Sequence, residues 1–247
     1  RVADGPLADP RIRQAVNLAI DRQEIVDVVL AGIGGKVGAS LFPEVLPWNN
    51  ADLAPVPYQP EKARALLKRA GAVDRDGDGM LELDGQPLVL NIWTYKGRPA
   101  LKPTIELVQS QLARVGLDSR LRITKSGSPI NAAMRNGEVH LNLQMWNAAP
   151  QGDPAYISGH VFKTGTEMNL MGYSNPRLDA LVEKGKTTFD PQARKKIYDE
   201  VQAILYEDCP VMVLFHKSSV AAAKSSVSRY RLHPAEVYAL DHRITKR

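Results

Sequence analysis

The chain reads as an α/β fold, a mixed sheet flanked by helices, on three observations. Helical and strand periodicities alternate along its length. Residues 88–125 make a strand, helix, strand unit, and four helices open on Asp-Pro or Asn-Pro, at 9–10, 153–154, 175–176 and 190–191. The acidic or amide side chain caps the first free N–H groups, and proline is pre-set for the first helical position.

Taken in order, Asp9-Pro10 opens a helix with Ile12, Ala15, Val16, Ala19 and Ile20 on one apolar face, and Asp21 starts another reaching Leu30, ended by the glycines between 32 and 38. Residues 41–58 hold four prolines with Phe42 and Trp48, an irregular segment whose aromatics need cover or a ligand. Ala63, Leu66, Leu67 and Ala70 recur at i, i+3, i+4 and i+7, which predicts an amphipathic helix over 60–70 closed by Gly71. Strands follow at 88–94 and 118–125, around a helix at 103–115 that turns Ile105, Val108, Leu112 and Val115 inward.

Leu141, Leu143 and Met145 alternate with Asn142 and Gln144, so this stretch predicts a half-buried strand delivering Trp146 at its carboxyl end. Two more helices bury Leu178, Leu181 and Val182, then Ile197, Val201, Ile204 and Leu205. Residues 211–215 form a short apolar strand. From Lys217 to Arg247 no self-contained hydrophobic pattern remains, and that stretch reads as needing another body to pack on.

Composition narrows the function classes. One cysteine allows no internal disulfide, and no apolar run approaches the roughly 20 residues of a membrane span. The chain starts Arg1-Val2-Ala3-Asp4, which reads as a processed or excised piece. Its net charge of +5 is spread without a basic stripe interleaved with aromatics, so no nucleic acid partner is expected.

The functional signal lies between Leu141 and Tyr173. Open α/β sheets bind ligands outside the carboxyl ends of their strands, where Trp146 is expected, and Asp153-Pro154 is expected to add the positive end of a helix beside the indole. The candidate ligand-binding residues are Trp146 as an apolar wall, Asn147 and Gln151 as hydrogen-bonding groups, Asp153 as a cap or cation partner, Tyr156 and Tyr173, with Phe42 and Trp48 from the irregular segment. The competing reading makes Trp146 a core aromatic and Asp153 a plain cap.

Other motifs carry less. Asp74, Asp76 and Asp78 with Gly79 resemble half of a calcium loop, but Gly85 stands at position twelve where a bidentate glutamate is needed. A turn into a hairpin of 81–83 against 88–90 is the preferred reading. Hydrolase elbow, zinc-protease and Cys-x-x-Cys motifs are missing, and Gly32 to Gly38 misses the dinucleotide fingerprint by spacing. Cys209 reads as a buried small residue, and the five histidines show no metal-ligand spacing. No catalytic residue, resident metal or cofactor is expected.

The segments Asp9-Pro10-Arg11-Ile12-Arg13-Gln14-Ala15-Val16-Asn17-Leu18-Ala19-Ile20-Asp21-Arg22, Tyr58-Gln59-Pro60-Glu61-Lys62-Ala63 and Gly172-Tyr173-Ser174-Asn175-Pro176-Arg177-Leu178, in this order, resemble the family 5 extracellular solute-binding proteins of ABC importers, the oligopeptide, dipeptide and nickel receptors. So does the helix from Arg194 to Leu205 with Pro210-Val211 after it.

The resemblance implies a type II periplasmic-binding-protein-like lobe. Residues 1–8 would lead in, 9–210 form the second lobe, and 211–247 return to a first lobe that is largely absent. It further implies a peptide or peptide-like solute, a membrane permease as partner, a monomer, and a periplasmic or extracellular place, lipid-anchored or free. The peptide-binding relatives it brings to mind carry an aspartate three residues after the tryptophan, where this chain has Ala149, leaving Asp153 as the substitute; nickel receptors are matched by Ala149-Pro150, with His160 the nearby histidine. A metal-chelate receptor, or the sensing domain of a transcriptional regulator, are the alternatives.

Overall fold

The computed structural model describes residues 1–147, 149, 152–218 and 222–228, and the backbone of 245–246. After a 3-10 turn at Pro6–Ala8 come α1 (Pro10–Ala19), α2 (Arg22–Val29), β1 (Gly35–Val37) and α3 (Pro60–Arg69). A hairpin of β2 (Glu82–Leu83) and β3 (Gln86–Pro87) leads to β4 (Val89–Tyr95), α4 (Leu101–Ala113), β5 (Asp118–Thr124), α5 (Ser128–Arg135) and β6 (Leu141–Asn142). The chain continues through α6 (Ala155–Ile157), a π-helical turn at Ser158–Phe162, α7 (Pro176–Thr187), α8 (Pro191–Asp208), β7 (Phe215–Lys217), β8 (Val227–Ser228) and β9 (Thr245–Lys246).

The capping logic holds at each Asp-Pro or Asn-Pro start. Asp9 accepts from Arg11 N–H, Asn175 from Arg177 and Leu178 N–H, Asp190 from Ala193 N–H, and Asp153 from Ala155 N–H. Asp21, which no proline follows, caps α2 through Glu24 N–H. The start at 153–154 yields one α-turn and then a π-turn, so it is shorter than the other three.

The central sheet has the order β5-β4-β6, with β4 parallel to both neighbours; the antiparallel pairings lie in separate two-stranded units, β1 with β7, β2 with β3 and β8 with β9. The hairpin register places Leu81 opposite Leu88, as its sequence requires. A first core forms where α1, α3 and α4 bury Ile12, Val16, Leu67, Ile105 and Leu112 against Leu90 and Ile92 of the sheet. A second core gathers Phe42, Phe162, Leu178, Val182, Tyr198 and Val201 around α7 and α8, and Trp93 with α5 makes a third.

Two expected strands are displaced. The last apolar strand occupies 215–217 instead of 211–215, because the Val213 carbonyl is taken by the Arg22 guanidinium and only the Leu214 carbonyl continues the ladder, accepting from Gly38 N–H. Strand β6 stops at Asn142, although Leu143 keeps contact with β4 through its N–H to Trp93 and its carbonyl to the Thr94 hydroxyl. Most of the stretch from 217 to 247, expected to pack on another body, lies outside the described residues.

Arg22 is buried and carries no carboxylate partner among the described residues. It donates instead to the carbonyls of Asn17, Ile20, Val56 and Val213 and to the Asn17 side chain. Burial lowers its pKa to about 10, which leaves it charged at neutral pH. It ties α1, the irregular segment and the return strand together.

Packing between α7 and α8 is tight at Gly185, where a Cβ would stand 2.8 Å from the Tyr198 ring and hydroxyl. Gly185→Ala is expected to cost about 1–3 kcal/mol by overpacking, read as a lower urea midpoint at unchanged slope. His216 on β7 faces the Ser40 carbonyl at 3.0 Å, and desolvation holds its pKa below the ordinary histidine value despite Glu44. The unfolded chain therefore binds a proton more readily. The neutral ring contributes stability above the unfolded pKa near 6.5, and that contribution is lost as pH falls toward the folded value. Urea titrations between pH 7 and 5 should show this decline, and His216→Gln should flatten it.

Candidate functional site

All three parallel strands end at one edge, and a cleft of about 280 Å³ lies beyond it. Tyr95 enters from the end of β4, Gly127 from the turn after β5, and Gln144 and Trp146 from the segment after β6. Helix α5 supplies Asn131 and Met134, and the far wall is Val161, Met168, Leu170 and Met171. Trp146 is half-buried: its ring also packs against the second core, and the remaining surface faces the cleft. The wall and core readings of this tryptophan are therefore both partly right.

The other sequence candidates sit elsewhere. Phe42 is fully buried in the second core, because the irregular segment folds back over α7 and α8 and needs its own anchor. Trp48 braces a loop: its indole N–H donates to the Gly152 carbonyl at 2.7 Å, its ring meets Tyr198 edge-on, and Arg194 lies 5.4 Å over its face. Tyr173 is buried, and its hydroxyl donates to Asp208, which also accepts from Asn175. Desolvation, then that carboxylate, pushes the phenol well above its usual pKa.

Asp153 is committed twice over. It caps Ala155 N–H at 2.8 Å and receives the Arg194 guanidinium at 2.8 and 3.1 Å, so its charge is met inside the protein and not by a solute cation. Tyr156 is exposed and packs edge-on against His160, and Asn147 is exposed beside Trp146; neither lines the cleft. Gln151 lies outside the described residues.

Sequence reasoning missed Tyr95, Asn131, Met134, Gln144, Met168 and Met171. The rule that ligands gather at the carboxyl ends of parallel strands points to Tyr95 and Gln144 once the parallel order is known. The methionines gave no periodic signal.

Two further clusters complete the survey. Asp74, Asp76 and Asp78 bring carboxylate oxygens within 4.8 Å of one another on an exposed turn, where they accept the N–H groups of Gly77, Gly79, Asp78 and Met80. This is the turn into the hairpin. Cys209 is buried with a left-handed backbone at the end of α8, and its sulfur accepts from Asn17. Burial raises its pKa to about 11. Iodoacetamide at pH 8 should leave it unmodified in native protein and label it fully in urea, as read by intact mass; equal labelling in both would contradict this placement.

The family model for bacterial extracellular solute-binding proteins, family 5 Middle, matches residues 1–168. The chain is 30% identical over 237 residues to the probable di/tripeptide-binding protein 5 of Pseudomonas aeruginosa, covering 93% of this chain and 41% of that protein. It is 26% identical over 235 residues to the nickel-binding periplasmic protein of Escherichia coli, covering 94% and 44%. In fold it matches the oligopeptide-binding protein AppA of Bacillus subtilis, solved in complex with a nonapeptide, at a TM-score of 0.83 and 24% identity over 96% of this chain and 48% of the other. The chain spans less than half the length of these relatives.

Proposed function

The chain belongs to the bacterial extracellular solute-binding proteins of family 5, and from that membership and the cleft at Trp146 we propose that it forms the ligand-receiving part of a solute receptor. The receptor hands its cargo to an ABC permease. The observation that carries this reading is the cleft: a half-buried indole, neutral polar groups and thioethers converge at the carboxyl edge of a parallel sheet, where such sheets take ligands.

A peptide or peptide-like solute is the primary reading, supported by the di/tripeptide-binding relative. The solute closes between two lobes, of which residues 9–210 make one and 211–247 return toward the other. The protein works outside the cytoplasmic membrane, lipid-anchored or free, as a monomer and without catalysis. The nickel-binding relative supports a second reading, a metal chelate. Among the described residues, the one group of three or more potential metal ligands is the Asp74 turn, which does not line the cleft. A metal would therefore arrive already chelated, with the cleft meeting its organic part.

The test uses the protein encoded by its complete gene. Calorimetric titration with tripeptides should give saturable binding, and Trp146→Ala should weaken it by about tenfold or more with its melting temperature little changed. Equal affinity of the two proteins would remove Trp146 from the site.

A further inference from the structure

The lining of the cleft narrows what it holds. Of its ten described lining residues, Met134, Met168, Met171, Leu170, Val161 and the Trp146 ring are apolar; Tyr95, Asn131 and Gln144 are polar but neutral; and Gly127 adds only backbone. None carries a formal charge at neutral pH. The charged residues next in sequence to two of the methionines, Arg135 and Glu167, pair with each other at 3.8 Å. The nearby Asp153 is likewise taken by Arg194.

A charged group brought into this cleft loses hydration and meets no opposite charge, whereas an apolar one replaces water against thioethers and indole. Unbranched, polarizable methionines reshape readily and contact aromatic rings favourably. Three of them set around a tryptophan make a wall that adapts to side chains of different outline. Asn131 and Gln144 are placed to hydrogen-bond amide groups flanking the buried moiety.

Resting on the receptor reading above, we propose that the part of the solute seated against Trp146 is an uncharged apolar side chain, aromatic or branched aliphatic, and that this cleft rejects charged side chains. The lining acts as the selectivity filter for that position. It grades apolar groups loosely among themselves and sharply against ions.

The experiment titrates the full-length protein with Ala-Phe-Ala, Ala-Leu-Ala, Ala-Glu-Ala, Ala-Lys-Ala and the nickel–histidine complex by calorimetry. The phenylalanine and leucine peptides should bind within a few-fold of each other and at least about tenfold tighter than the glutamate and lysine peptides. Gln144→Lys, a change at an exposed rim position, should raise affinity for the glutamate peptide and lower it for the lysine peptide. Equal binding of charged and apolar peptides, or binding confined to the nickel complex, overturns the inference and keeps the receptor reading. No binding by any of the five probes overturns both.

Discussion

The arrangement depends on one constraint, the parallel pairing of β4 with a neighbour on each side. Because β5, β4 and β6 run the same way, the chain must leave all three at a single edge, and each departure delivers a side chain or turn to the same place. Tyr95, Gly127 and Trp146 are far apart in sequence and meet for this reason alone. The crossover through α4 covers one face of the sheet and fills the first core with Ile105 and Leu112, while α5 brings Met134 over the edge. An antiparallel β6 would have carried its chain exit, and Trp146 with it, to the opposite end.

The loop after Trp146 is braced from outside the cleft. Trp48, Arg194 and Asp153 form a small assembly of ring stacking, ion pair and cap, and Trp48 also donates to the Gly152 carbonyl. None of these groups faces the cleft. The guanidinium in this pair is less exposed than those of the pairs Lys36–Glu44 or Arg177–Glu200, and such surface pairs contribute little. Anchoring the loop from behind leaves its inner surface free of charge.

Much of the fold was legible because its signals are local. Asp9, Asn175 and Asp190 cap helices through side chains that reach only two or three residues along the chain, and the spacing of Ala63, Leu66, Leu67 and Ala70 marks a face without reference to any partner. Helix α5 was missed. It is short, begins at Gly127-Ser128 with no side-chain cap, and follows its strand almost at once. The site was less legible, because residue type does not say which way a side chain turns. Phe42, Trp48 and Tyr173 have the chemistry of a binding wall, and long-range packing assigns all three to structural tasks; the partner of Asp153 lies 41 residues away. Trp146 could be read because the end of a strand is both a local and a topological position.

The buried Arg22 has a consequence for how this protein responds to its medium. Its attraction to four backbone carbonyls is shielded from dissolved ions by the surrounding interior, so brine that loosens the peripheral pairs leaves the knot between α1, the proline-rich stretch and the final strand intact. A lysine there would have no planar fork to span those oxygens. The junction between the body and its last strand is thus indifferent to salinity, a useful property for a molecule that meets the outside world.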